Sequence, residues 1–232
     1  MINISTRISA KKNNSKEDKL LDKFIESGFF EKLNTKKYSY TLIHEPYTGF
    51  GYADLVCLRW NKSIYESWNS RRDRLQEEDI KILHYLYNSQ KAKTLVQMER
   101  DLGYKNKTLY KIVDRLLSAE LITENNKNAF KVRPLNEIFF IYEIIAVEAK
   151  IRDWKKALEQ SFNNVFFASK SFSLFPEESI NDNMLNSYDK SDVGLLSIGK
   201  GYRQILKPKK MRIPTSLTAW RFNEMLGRGY IS

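Results

Sequence analysis

Cysteine and histidine are scarce in this 232-residue chain, and the scarcity excludes several kinds of protein. The one cysteine, Cys57, cannot close an internal disulfide, and with only two histidines beside it there is no basis for a zinc site. A reducing cytoplasm is therefore the expected setting. Nowhere do about 18 apolar residues run uninterrupted, so no segment is expected to span a membrane. The N-terminus, Met1 to Asn14, is polar and lacks an apolar core of signal-peptide length, so it reads as a frayed tail. No internal repeat and no low-complexity tract occurs.

Acidic residues are also outnumbered, 28 against 39 basic, for a formal charge of +11 and a pI near 9.5. That balance favours a polyanionic partner, although ribosomal, membrane-surface and merely soluble basic proteins share it. The excess is densest in residues 71–136, with fourteen basic against nine acidic residues. An apolar content of 42% is enough to bury a core, either in one large domain or in two small ones.

Leu20, Leu21, Phe24 and Ile25 recur at helical spacing before Gly28 and predict a helix from Glu17 to about Ser27. Two extended runs follow, Tyr38 to Glu45 and Tyr52 to Trp60, around a glycine-bearing turn. A turn centred on Gly49-Phe50 sets Glu45 directly opposite Asp54. Two carboxylates that close repel unless a cation lies between them. Beyond a charged, broken stretch the texture becomes helical, with faces at Ile80 to Tyr87, Leu95 to Leu102 and Leu109 to Leu117. A strand, a polar turn and a strand then run from Leu121 to Arg133. Strand texture resumes at Ile138 and leads into Ile144 to Ile151. An amphipathic segment, Asp153 to Ala168, comes next, its apolar positions including Trp154, Phe162 and Phe166. Further expected elements are a strand at Ser171 to Phe175, a loop or short surface helix over Glu177 to Lys190, a hairpin around Gly199-Lys200-Gly201, and a short helix from Thr218 to Leu226.

The run Ile144 to Val147 is apolar on both faces, as in a central strand covered on both sides. It ends by presenting Glu148 and Lys150, which a strand's period of two puts on one face. With Asp54 these make a candidate site. Carboxylates gathered in this way are suited to a hard divalent cation. Glu45 is a third candidate acid through the hairpin count, and Glu26 a weaker one.

Residues 77–134, three short helices and a two-stranded ribbon, resemble a winged helix-turn-helix. Lys107, Lys111 and Arg115, with Thr108 beside them, form an outward stripe on its third helix, suited to DNA phosphates or a major groove, and Lys127 lies in the wing turn. An ordinary solvated face stays open as the alternative. With that insert set aside, an acid on the second strand and Glu-x-Lys on the third resemble the PD-(D/E)xK nuclease superfamily, over roughly residues 17–60 and 137–206. Ala53 stands where the motif has proline. The resemblance implies an α/β, restriction-endonuclease-like core, a mixed central sheet flanked by helices, split into 1–70 and 137–232 by a winged-helix insert at 71–136. It further implies Mg or Mn held by Asp54, Glu148 and the Ala149 carbonyl, with Lys150 and Gln160 acting at the site. The expected function is metal-dependent DNA cleavage, in restriction, mobile-element or defence settings. A non-catalytic DNA-binding regulator remains the alternative, and a homodimer is left open.

Overall fold

The computed structural model describes residues 15–49, 51–214 and 216–229. The expected tail, Met1 to Asn14, lies outside the described residues. Within them the chain divides into two compact units, one of residues 15–61 and 141–219, the other of 62–140 and 220–229. The second unit thus begins before residue 71, ends after 136, and also takes in the end of the last helix.

Helix α1 (Lys16–Glu26) starts at a reciprocal cap. Ser15 Oγ accepts the Asp18 N–H and the Asp18 carboxylate accepts the Ser15 N–H, each at 3.0 Å. Strands β1 (Tyr38–His44) and β2 (Leu55–Asn61) then form a hairpin with His44 opposite Leu55, the register that the turn count predicts.

The chain next builds the helical unit from α2 (Lys62–Glu66), α3 (Glu77–Ser89), β3 (Lys93–Thr94), α4 (Leu95–Leu102), α5 (Asn106–Ser118), β4 (Ile122–Glu124), β5 (Ala129–Val132) and α6 (Leu135–Ile138). Thr94 and Gln97 cap α4 reciprocally, and Gly103 closes it at φ +72°. The Asn125 side chain organises the turn between β4 and β5 by accepting the N–H groups of Lys127 and Ala129 at 2.9 and 3.1 Å. The three short strands pair in the order β3-β5-β4. The expected strand at Ile138 is not found, since α6 ends there. Phe139 packs its ring 5.1 Å from Trp220, and Phe140 lies 5.8 Å from Tyr65 and from Trp68. Helical-unit packing therefore claims an apolar run that local pattern assigns to a strand.

The return segment supplies β6 (Ile141–Ala149), α7 (Trp154–Asn164), β7 (Lys170–Pro176), α8 (Asp182–Asp189), β8 (Gly194–Ile198), β9 (Tyr202–Leu206) and α9 (Leu217–Gly227). Among the described residues the larger sheet has the order β1-β2-β6-β7-β8-β9. Strands β6, β7 and β8 run parallel, and the other neighbours are antiparallel. Parallel pairs need crossovers, which α7 and α8 provide. Leu20, Leu21 and Phe24 of α1 pack with Leu55, Cys57, Ile145, Val147 and Phe172 on one face. Ala157 of α7 and Met184 and Tyr188 of α8 pack with Phe175 and Leu195 on the other. Each such large apolar side chain contributes roughly 1.5–3 kcal/mol by leaving water. The unit is mixed α/β, with β6 near the middle of its sheet and buried from Glu143 to Ala149. No helix of the described residues is long and apolar enough to cross a membrane.

Candidate active site

The antiparallel register of β2 and β6 sets Leu55 opposite Val147, which carries Asp54 to the level of Glu148. Asp54 precedes the first residue of β2, and its Oδ2 accepts the Ala149 N–H at 2.8 Å. This bond fixes the carboxylate at the strand end. Lys150 is the first residue past β6, and its own N–H extends the ladder to the Leu174 carbonyl at 3.1 Å. Its Nζ donates to the Ala149 carbonyl at 2.9 Å and lies 3.4 Å from Asp54 Oδ2 and 3.4 Å from a Glu17 carboxylate oxygen. Asp54, Glu148, Ala149 and Lys150 are thus brought together, and Glu17 joins them.

Glu148 forms the floor of this cluster, with 1% of its surface exposed. Oε1 accepts from Asn164 Nδ2 at 2.7 Å, whereas Oε2 is buried with no hydrogen-bond donor among the described residues, and the carboxyl lies within hydrogen-bonding reach of the Asp54 carboxylate. Burial, and after it the negative charge of Asp54, pushes the Glu148 pKa up to about 8, against the opposing pull of Asn164 and Lys150. Its surroundings therefore favour the protonated carboxyl over the carboxylate. For Lys150 burial acts downward, but the charges of Asp54, Glu17 and Glu148 outweigh it and hold the amine above its ordinary value. Lys150 is a cation here.

Glu17 and Asn164 are the site residues that the sequence reading misses. Glu17 lies in the first turn of α1, whereas the expected Glu26 is nine residues on, about 13 Å along the axis, and its side chain is exposed. Glu45 stands outside these contacts. Its N–H does bond the Asp54 carbonyl at 3.2 Å, as the counted register requires. Its backbone, however, turns left-handed at φ +48°, and its side chain is exposed with no hydrogen bond or ion pair among the described residues. Gln160 is half-buried, one helical turn before Asn164, with a buried Oε1 that has no partner among the described residues.

Of the expected apolar stripe, Trp154, Ala157, Leu158 and Val165 do pack in the core, whereas Phe162 and Phe166 do not. Ala157, Ser161 and Asn164 face inward, while Phe162 and Phe166 are about half exposed. Small and polar side chains are needed there, because Ser161 Oγ bonds the Phe172 carbonyl at 3.1 Å and Asn164 reaches Glu148.

No three or more His, Cys, Asp or Glu residues are grouped so as to hold a metal ion among the described residues. The oxygens of Asp54, Glu148, Glu17 and the Ala149 carbonyl nevertheless match a hard cation in type, and the repulsion between the Asp54 and Glu148 carboxylates is what such an ion relieves.

In the helical unit Lys107, Thr108 and Lys111 are exposed on α5, and Lys127 is exposed in the β4–β5 turn. Lys127 borders a cavity of about 400 Å³ with Asn106, Tyr110 and Phe130. Arg115 departs from the outward stripe. Its guanidinium grips the fully buried Asp79 of α3 at 2.6 and 2.9 Å, so it braces two helices.

The fold and site together define a mixed α/β protein with a carboxylate–lysine cluster at the end of a central strand. No family model, no curated protein and no solved structure matches the chain.

Proposed function

We propose that the chain is a metal-dependent DNA nuclease that hydrolyses phosphodiesters, built on a PD-(D/E)xK core with the helical unit acting as a winged-helix DNA-binding module. The observation that carries this reading is the buried Glu148 carboxyl set against the Asp54 carboxylate, with Lys150 bridging Asp54 and Glu17 beside them. A buried acid whose pKa is raised by burial and by a neighbouring carboxylate, beside a lysine, is more common in a functional site than in a structural one.

Asp54 and Glu148 would hold a magnesium or manganese ion, with Glu17 and the Ala149 carbonyl as further oxygens. When bound, that ion supplies Lewis acidity and a more acidic water. Lys150, kept cationic by its acidic neighbours, stabilises charge on the phosphate and orients the attacking water by hydrogen bonding. Asn164 holds the Glu148 carboxyl in place, and Gln160 offers a hydrogen-bonding group one turn away. Lys107, Thr108, Lys111 and Lys127 contact phosphates, which leaves Arg115 to structure.

The test is nicking of supercoiled plasmid in magnesium by the wild type, Glu148→Ala and Lys150→Ala. The expected result is nicking by the wild type and a loss of at least about a hundredfold in each variant. One observation favours a second reading, a non-catalytic DNA-binding regulator: Lys150 Nζ already occupies Asp54 and the Ala149 carbonyl. Salt-sensitive binding without any metal-dependent nicking would select that reading.

A further inference from the structure

The turn between β1 and β2 carries two tyrosines turned to solvent, Tyr47 at 62% and Tyr52 at 68% exposure. Tyrosine rings more often bury much of their surface, so two side by side on a turn tip need a reason. The turn beneath them is firmly tied. Pro46, Thr48 and Ala53 point inward and are buried, so the exposed rings alternate with anchors. The Thr48 N–H donates to the Gly51 carbonyl at 2.8 Å, the Ala53 N–H to the Pro46 carbonyl at 3.3 Å, and the Thr218 hydroxyl to the Thr48 carbonyl at 2.5 Å. Gly49 and Gly51, at φ +91° and +132°, permit the reversal.

Across this turn Tyr47 and Tyr52 pair as an antiparallel bridge, with ring centroids 5.4 Å apart and planes tilted by 59°. More than half of each side chain is nevertheless exposed. Neither hydroxyl has a hydrogen bond among the described residues, so no polar contact explains their placement. Tyr52 is two residues from Asp54, at most about 7 Å along the backbone. With a phosphate at the cluster, as the nuclease reading has it, a tyrosine at that backbone separation is within reach of the neighbouring base. A base inside a duplex already stacks above and below, so only an unpaired one can use the platform.

We propose that Tyr47 and Tyr52 form a stacking platform for an unpaired nucleobase beside the phosphate in the site, so that the substrate is DNA with unpaired nucleotides: a single strand, a frayed end, a gap or the underwound tract of a supercoiled plasmid. The phosphate half of this proposal rests on the nuclease reading above. The stacking half is measurable without cleavage.

The experiment titrates the full chain, in EDTA, into a fluorescent single-stranded oligonucleotide carrying 2-aminopurine and into its blunt duplex at the same salt. Expected are tighter binding of the single strand, on the order of tenfold, and quenching of 2-aminopurine. Tyr47→Ala and Tyr52→Ala should each lose on the order of tenfold in single-strand affinity, while Tyr52→Phe and Tyr52→Trp retain it. Thermal melts of all variants separate lost stacking from lost folding. Unchanged single-strand affinity in both alanine variants, or equal wild-type affinity for the blunt duplex, overturns the platform. Quenching by a wild type that never nicks DNA keeps the platform and removes the nuclease; nicking with neutral tyrosine substitutions does the reverse.

Discussion

Glu148 ties stability to pH in an unusual direction. An ordinary glutamate ionises near 4.5, whereas burial and then Asp54 raise this one to about 8. Between those values the folded state holds a proton that the unfolded chain releases, so this residue's contribution to stability falls as pH rises from about 4.5 to 8. A shift of that size corresponds to roughly a few kcal/mol between the protonated and ionised forms. Glu148→Gln keeps the neutral shape and removes the titration. It should melt at a higher temperature than the wild type at pH 8, and the difference should shrink toward pH 5. Magnesium or manganese should raise the wild-type melting temperature, more so at higher pH as Glu148 gives up its proton, and have little effect on the variant. Parallel melting curves for the two proteins from pH 5 to pH 8 would show that Glu148 is an ordinary carboxylate.

At the scale of elements, legibility followed locality. The β1–β2 register could be counted from Gly49-Phe50, because a short turn leaves few pairings, and opposition of Asp54 to Glu148 follows once β2 and β6 are neighbours. Glu17 was hidden because a helix position reveals nothing about which strand end its first turn approaches. Asn164 was hidden for another reason: periodicity marks apolar positions, and the later part of the inward face of α7 is the polar Ser161 and Asn164 while Phe162 looks outward. Arg115 illustrates the same limit in the helical unit, since equal spacing with Lys107 and Lys111 cannot disclose the buried Asp79 across the interface of α3 and α5. Two outcomes follow for these elements. Arg115→Ala strands a buried carboxylate and should cost up to about 3 kcal/mol, the low end for a buried pair because the arginine is partly exposed. Lys107→Ala and Lys111→Ala should stay within about 0.5 kcal/mol of wild type. Denaturant melts decide the matter; an Arg115→Ala protein as stable as the wild type would return that arginine to the DNA-facing stripe.

For the whole molecule the question is where a net charge of +11 acts. If the excess were spread evenly, no pair of lysines would matter more than another for DNA affinity. If α5 lies against phosphates, Lys107 and Lys111 each displace counterions, and affinity should fall linearly on a log–log plot against salt. Removing both should flatten that slope by about two while weakening binding to all sequences alike. The charge-matched control, Lys36→Ala with Lys37→Ala on the sheet unit, removes the same two charges elsewhere. Anisotropy titrations of a duplex across a series of salt concentrations compare the two double variants. A flattened slope for the α5 pair alone assigns the phosphate contacts to the helical unit. Equal slopes for wild type and the α5 pair would withdraw α5 from the interface, and with it the proposed DNA-binding role of that helix, while leaving the carboxylate–lysine cluster of the sheet unit untouched.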